Sequence, residues 1–390
     1  MTQSFVISDL HLGEDNSVMT YEKTEDKHYL VGKLIDKIKE VSDLPNGRRV
    51  PELVLLGDIF DLSLAPYDEA LDSVRKFINQ ICDADLFDAI TYVPGNHDHH
   101  MWIQVMEHET FIKKIAGRET VPVPPRVTQP GKPWPNTFLD GLLPPSASDV
   151  TLQVAYPNRL LEVAGTRIFM HHGHFCQRIW TLLSRVFVSI LPATNLAELE
   201  AFNSPLTELG WYGLGQAGSV SDLMEKVYEN AKHGKFDGLY EVIDALMEGI
   251  DRWDGRIDDG WRTDAMDWLS KRATRKVVKS VLEKYVRRKE AGAAGMSEAR
   301  GKRIADRDGE LREGLTQYLS KYVRIQDGDK FVFGHTHRHE PAQPFPVDGR
   351  TIEIANTGGW VEELGKRKPD GYLIEITDQA ELKSHHIEIP

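Results

Sequence analysis

Apolar positions along this chain follow two spacings, and the change from one to the other divides it. Short continuous runs, Phe5 to Ser8, Leu53 to Leu56 and Ala89 to Val93, have the length of buried strands. Between them, Leu30, Val31, Leu34, Ile35 and Ile38 recur at helical spacing within residues Tyr29 to Val41. Val74, Phe77, Ile78 and Ile81 do the same within Leu71 to Ile81. This β-α-β-α-β rhythm predicts an α/β domain, and in such sheets ligands gather beyond the carboxyl ends of the strands. The three strands end at Asp9, at Gly57-Asp58 and at Pro94-Gly95-Asn96.

A proline-rich excursion follows from Thr120 to Pro157, of the kind that forms a lid or functional loop. Leu160 to Val163, the turn Ala164-Gly165 and Arg167 to Met170 then predict a hairpin running into His171-His172-Gly173-His174. From about Phe175 to about Val323 strand signals disappear. Ile179, Leu182, Leu183, Val186, Ile190 and Leu191 keep helical spacing up to Pro192. Further helical stretches run over Val220 to Ala231, Leu239 to Ile250, Asp264 to Lys289 and Gly309 to Tyr322. Strands return at Lys330 to Phe333, Thr351 to Ala355, Tyr372 to Ile376 and His386 to Ile389. The expected organisation is a catalytic core of residues 1–174 and 324–390, interrupted by a helical insertion over 175–323. Internal repeats and low-complexity segments are absent.

Composition adds three constraints. The net charge of -13 argues against a protein dominated by nonspecific nucleic-acid binding. Two distant cysteines, Cys82 and Cys176, supply neither a disulfide framework nor a zinc-ribbon spacing, which suits a reducing compartment. The chain enters an apolar strand at Phe5 without a leader pattern, and no run approaches the ~18 apolar residues of a membrane span. The expectation is a cytoplasmic protein.

The candidate chemistry sits at strand ends. Asp9-Leu10-His11, Gly57-Asp58-Ile59-Phe60-Asp61, Gly95-Asn96-His97-Asp98, His172-Gly173-His174 and Gly334-His335-Thr336-His337 all carry carboxylate, amide or imidazole. Mixed oxygen and nitrogen donors suit manganese, iron or zinc, and a pair of divalent ions needs a bridging carboxylate with several ligands for each ion. Any one of these groups alone would more often be a cap, a turn residue or a half-buried histidine. Their joint occurrence is the signal. Asp98 reads as a capping or turn carboxylate, and His99, His100 and His339 as solvated loop residues, with lining of the site's mouth as the alternative.

In order and spelling these five motifs resemble the calcineurin-like metallophosphoesterase superfamily, over roughly Met1 to His174 and Phe331 to Pro390. Asn356-Thr357-Gly358-Gly359-Trp360 is similar to the turn that follows the last ligands in that family. The resemblance implies a four-layer α-β-β-α sandwich and hydrolysis of a phosphate ester by a hydroxide bridging two divalent ions. Manganese is the first expectation, with iron, zinc or nickel as alternatives. Asp9, His11 and His337 match the ligands of one ion, Asp58 the bridging carboxylate, and Asn96, His172 and His335 the ligands of the second. His97 matches the catalytic histidine and Asp61 the carboxylate that orients it. His174 and Asn96 are candidates for substrate contact.

Departures narrow the substrate. Leu62 stands where the superfamily's protein phosphatases carry a phosphate-clamping arginine. Ser8-Asp9-Leu10-His11-Leu12-Gly13 is similar to UDP-diacylglucosamine pyrophosphatases and to Mre11-type nucleases. The former usually have arginine in place of His97, and the latter place their extra domain after the last motif. The expectation is therefore an enzyme acting on a small phosphomonoester or phosphodiester, such as a nucleotide or nucleotide-linked headgroup. The alternatives are a nuclease and a non-catalytic scaffold. Lys271 to Arg303, with twelve basic residues against Glu283, Glu290 and Glu298, would be the nucleic-acid groove of a nuclease or a solvated helix face. The apolar helix around Ile179 to Leu191 would pack inward or make a peripheral membrane contact.

Overall fold

A computed structural model describes residues 1–14, 16–19, 25–42, 48–177, 179–181, 184, 193–208, 212, 309, 311–362 and 371–389. The helical stretches expected between residues 220 and 289, the basic segment Lys271 to Arg303 and most of the expected helix over 179–191 lie outside these.

The first half alternates as the apolar spacing predicts: β1 (Thr2–Ile7), α1 (Glu25–Val41), β2 (Val50–Leu55), α2 (Tyr67–Asp83), β3 (Phe87–Tyr92) and α3 (His99–Glu107). A π-helical turn, His108–Ile112, and a last short turn, Lys113–Ala116, extend α3. The proline-rich stretch holds two strands that its composition hides, β4 (Trp134–Pro135) and β5 (Thr151–Val154). The hairpin is β6 (Asn158–Val163) and β7 (Thr166–His171). After α4 (Leu196–Thr207) and a π-helical turn Tyr318–Val323 come β8 (Lys330–Phe333), β9 (His339–Val347), β10 (Arg350–Thr357), β11 (Gly371–Thr377) and β12 (Leu382–Ile387).

The strands form two mixed sheets. One has the order β12-β11-β1-β2-β3-β5-β4, the other β6-β7-β8-β10-β9. Side-chain alternation along the central strands explains the layering. On β1 and β2, Phe5, Ile7, Leu53 and Leu55 point to a core shared with α1, α2 and α3, while Val6 and Val54 point the other way, into a core between the sheets. On β7 and β8, Ile168, Met170 and Val332 fill that middle core. Phe169, Phe331 and Phe333 face a third core with Leu199 of α4 and Leu315, Tyr318 and Leu319. Each sheet is buried on both faces, so its central strands read as continuous apolar runs. The result is the expected α-β-β-α sandwich. The described helical pieces that follow His174 pack on the outer face of the second sheet.

β9 was not legible, because Pro341, Pro344 and Pro346 argue against a strand. Among the described residues it lies at an edge and pairs with β10 alone, where a missing N–H costs little. The last strand begins at Leu382, earlier than the apolar run at the C-terminus suggests, because its register is set by pairing with β11 from Gly371↔Ile387 to Ile376↔Leu382. No helix among the described residues is long and apolar enough to cross a membrane.

One polar tie crosses the middle layer. Arg159 of β6 donates from Nε to Glu52 Oε1 of β2 at 2.8 Å and from Nη2 to Oε2 at 3.2 Å. Glu52 is buried and also accepts from Thr91 and Gln153. Removing one partner of a buried pair leaves an uncompensated charge, which costs roughly 3–5 kcal/mol. Arg159→Ala is therefore expected to lower unfolding stability by about that amount, read by urea denaturation. A double change of Arg159 and Glu52 to Met should recover much of the loss.

Candidate metal centre

The candidate residues meet where β1, β2, β3, β7 and β8 end, on loops at one rim of the two sheets. The chain turns sharply there. Asp9, His11, Asp58, His335 and His337 all adopt positive φ, between 46° and 68°. Ordinary residues hold this left-handed region only when surroundings force it, and such strain collects at functional sites. Two glycines make room. Gly57 has φ 82°, and a Cβ on it would lie 2.5 Å from the His172 ring. A Cβ on Gly95 would overlap the Asp58 carboxylate. The resemblance-based set thus comes together in space although its members span most of the chain.

Three groups form among the described residues. Asp9, His11 and His337 each bring one donor atom to within 4.8 Å of the others, and so do Asp58, His172 and His335, and His11, Asp61 and His97. The first two hold the expected ligands. Asp58 Oδ2 lies 3.1 Å from His172 Nε2 and 3.8 Å from His11 Nε2, so the carboxylate stands between the groups. Its other oxygen accepts from the backbone N–H of His97 at 2.9 Å. Asp9 accepts from the His335 N–H at 3.0 and 3.1 Å, which ties the first strand's loop to the eighth's. Asn356, at the end of β10, donates to Gly334 O at 3.2 Å and to Thr336 Oγ1 at 2.9 Å, holding the turn between His335 and His337.

These residues suit divalent cations for reasons internal to the site. The Asn96 amide oxygen and His335 Nε2 are buried without a hydrogen-bond partner. Buried polar atoms are seldom left so unless something else binds them. His11 donates from Nδ1 to Asp61 at 2.8 Å, which leaves Nε2 as a bare lone pair facing His337 Nε2 at 3.2 Å. A second pair of imidazole nitrogens, His335 Nδ1 and His172 Nε2, is also 3.2 Å apart. Each pair is within hydrogen-bonding distance, and a bound cation would take the place of the shared hydrogen. Burial alone would raise the Asp58 carboxyl, but His172, His97 and His11 hold it well below the usual carboxylate range. Burial, with His172 beside it, pushes His335 down to about 3, so it stays neutral and able to ligate.

His97 is 6% exposed and lies beside this centre, its ring 4.7 Å from that of His11. Its Nδ1 is 3.1 Å from Asp61 Oδ2. Burial would lower its pKa, yet Asp61 and Asp58 raise it to about 9, so the ring is cationic at neutral pH. His174, the candidate substrate contact, is buried, neither ring nitrogen has a hydrogen-bond partner, and burial drives its pKa well below the ordinary value.

Sequence reasoning missed several positioning groups. Asp98 occupies the N-cap position of α3 without capping it. Its carboxylate instead accepts from the N–H groups of Gly95 (2.6 Å), Ile59 (2.8 Å), Asp58 (3.2 Å) and Phe60 (3.3 Å), fastening the second motif to the third. His99 and His100 correct the solvated-loop reading. They open α3, and His99 is buried between Glu200 and Glu208. Tyr156 donates to Glu200 at 2.7 Å. A charge partner supplied a hundred residues away leaves no local signal.

The calcineurin-like phosphoesterase family matches residues 4–189. Among curated proteins the chain finds no match. This match supports the calcineurin-like metallophosphoesterase superfamily, whose members in general hydrolyse phosphate esters with bound divalent metal. The match covers the first four motifs and ends before His335 and His337, which the second sheet brings to the same rim.

The His99 cluster generates a pH prediction. Burial lowers the His99 pKa, but Glu200 and Glu208 outweigh it and raise it to about 10. A raised folded-state pKa contributes stability that is full below about 6.5 and lost as pH rises through about 10. Glu208 is held down to about 2, against its burial, by His100 and His99, so its share is full above about 4.5 and lost as pH falls toward 2. The melting-temperature gap between wild type and His99→Gln should be widest between about pH 4.5 and 6.5 and close toward pH 10. A gap unchanged over that range would contradict the ion-pair assignment.

Proposed function

We propose that this chain is a dinuclear metal-dependent hydrolase of a phosphomonoester or phosphodiester, with a nucleotide or nucleotide-linked molecule as the substrate class. The observation that carries the reading is the pair of three-residue donor groups with the buried Asp58 carboxylate between them. Asp9, His11 and His337 would hold one cation, Asn96, His172 and His335 the other, and Asp58 would bridge. The mixed donors suit manganese first, with iron, zinc or nickel as other candidates. Two such ions, when bound, lower the pKa of water and neutralise charge on phosphoryl oxygens.

The protein's own groups do the rest. Asp61 accepts from His11 and His97 at once and so orients a ligand and the acid with one carboxylate. His97, cationic at neutral pH, gives the proton from Nε2 to the leaving oxygen as the ester P–O bond breaks, and returns to the neutral ring. Leu62, buried in the core, leaves the second motif without a cationic clamp, which favours a small ester over a phosphoprotein.

The test is a manganese-supplemented screen of nucleotides, cyclic nucleotides, UDP-sugars, oligonucleotides and bis-p-nitrophenyl phosphate. Asp58→Ala is expected to lose bound metal and all turnover. His97→Ala should keep its metal content and lose roughly 10²–10⁴ in rate. Turnover by Asp58→Ala at the wild-type rate would end the reading. Salt-sensitive cleavage of oligonucleotides alone would replace it with the nuclease.

A further inference from the structure

We infer that Ser63 is a positioning residue that decides which nitrogen of His97 carries the transferable proton; this rests on the reading of His97 as the acid. Ser63 is buried, two residues past Asp61, on the loop that follows β2. Its hydroxyl donates to Asp61 Oδ1 at 2.8 Å. That oxygen also accepts from the backbone N–H groups of Ser63 at 3.0 Å and Leu64 at 2.7 Å, so the carboxylate is locked in place. The Ser63 oxygen lies 2.6 Å from His97 Nδ1.

A serine hydroxyl has one hydrogen. An ionised carboxylate can only accept, so that hydrogen goes to Asp61. Ser63 Oγ must then accept from His97, so Nδ1 carries a hydrogen shared between Ser63 Oγ and Asp61 Oδ2 at 3.1 Å. With Nδ1–H held by two acceptors in both charge states of the ring, the proton that leaves is the one on Nε2. The ring ends each transfer in the tautomer that can be recharged at Nε2, without flipping. Asp61 by itself does not secure this, because its Oδ2 is divided between His97 and His11. Ser63 supplies the second acceptor and fixes the ring plane.

The consequence is a defect confined to proton donation. Leaving groups that depart readily as anions need little help from an acid, whereas alkoxide leaving groups need it. In the manganese-loaded full-length enzyme, Ser63→Ala is expected to keep metal content and KM. It should lower kcat roughly five- to tenfold on dialkyl phosphate diesters, whose leaving group is an alkoxide, and by less than about twofold on bis-p-nitrophenyl phosphate. Ser63→Thr, which keeps the hydroxyl, should restore the rate. In a His97→Ala background Ser63→Ala should cost nothing further, because two groups acting through one proton are not additive. Ser63→Ala with wild-type kcat on alkyl esters, or a loss that multiplies with that of His97→Ala, would overturn the assignment. So would an equal loss on both leaving-group classes without rescue by threonine, which would mark a purely structural residue. If His97→Ala itself were as fast as wild type on alkyl esters, the acid role would fall and this inference with it, an outcome readily told apart from the others.

Discussion

A carboxylate with no access to water must be compensated, and Asp58 shows how the whole rim is organised by that requirement. It is 1% exposed, and its charge is met by His172 and His11 on one oxygen and by the His97 N–H on the other. An isolated charge at such depth would be too costly to keep. The compensating groups come from three other strand ends, so the two sheets can pack only in the arrangement that brings those ends together. The positive-φ residues and the glycine contacts follow from the same crowding.

Around that carboxylate the polar groups divide the labour of holding loops from that of presenting donors. Asp98 gathers four backbone N–H groups from two motifs, and Asp9 anchors the His335 backbone while keeping its own carboxylate in the first donor group. Asp61 and Ser63 take hydrogens from ring nitrogens on the far side of the centre, which turns the remaining nitrogens inward. In this way side-chain hydrogen bonds to Asp61 and Ser63 orient the His11 and His97 rings.

The helix that follows His174 is joined to the same network. α4 sends Glu200 to His99, two residues beyond His97, and Tyr156 completes the contact from the start of the hairpin. The loop of the third motif is thereby backed by α3, by the proline-rich excursion and by α4, so a change in the seating of α4 would reach His97 through one buried ion pair.

By itself the sequence determined whatever depends on local spacing. The apolar runs of β1, β2, β7 and β8 are legible because strands buried on both faces must be continuously apolar, and the motifs at their ends are legible because their chemistry is written in neighbouring residues. β9 and α3 were hidden, the first by prolines that only an edge position tolerates, the second by two histidines whose partners are far away. The tertiary structure alone decided that Asp61 serves both His11 and His97, that the Ser63 hydroxyl lies against His97 Nδ1, and that Asp98 binds two motifs together. Each of these is a contact between groups separated by tens of residues, or a choice between two ring nitrogens. Such contacts and choices are set by where the two sheets place their strand ends, and no pattern within a single segment encodes that placement.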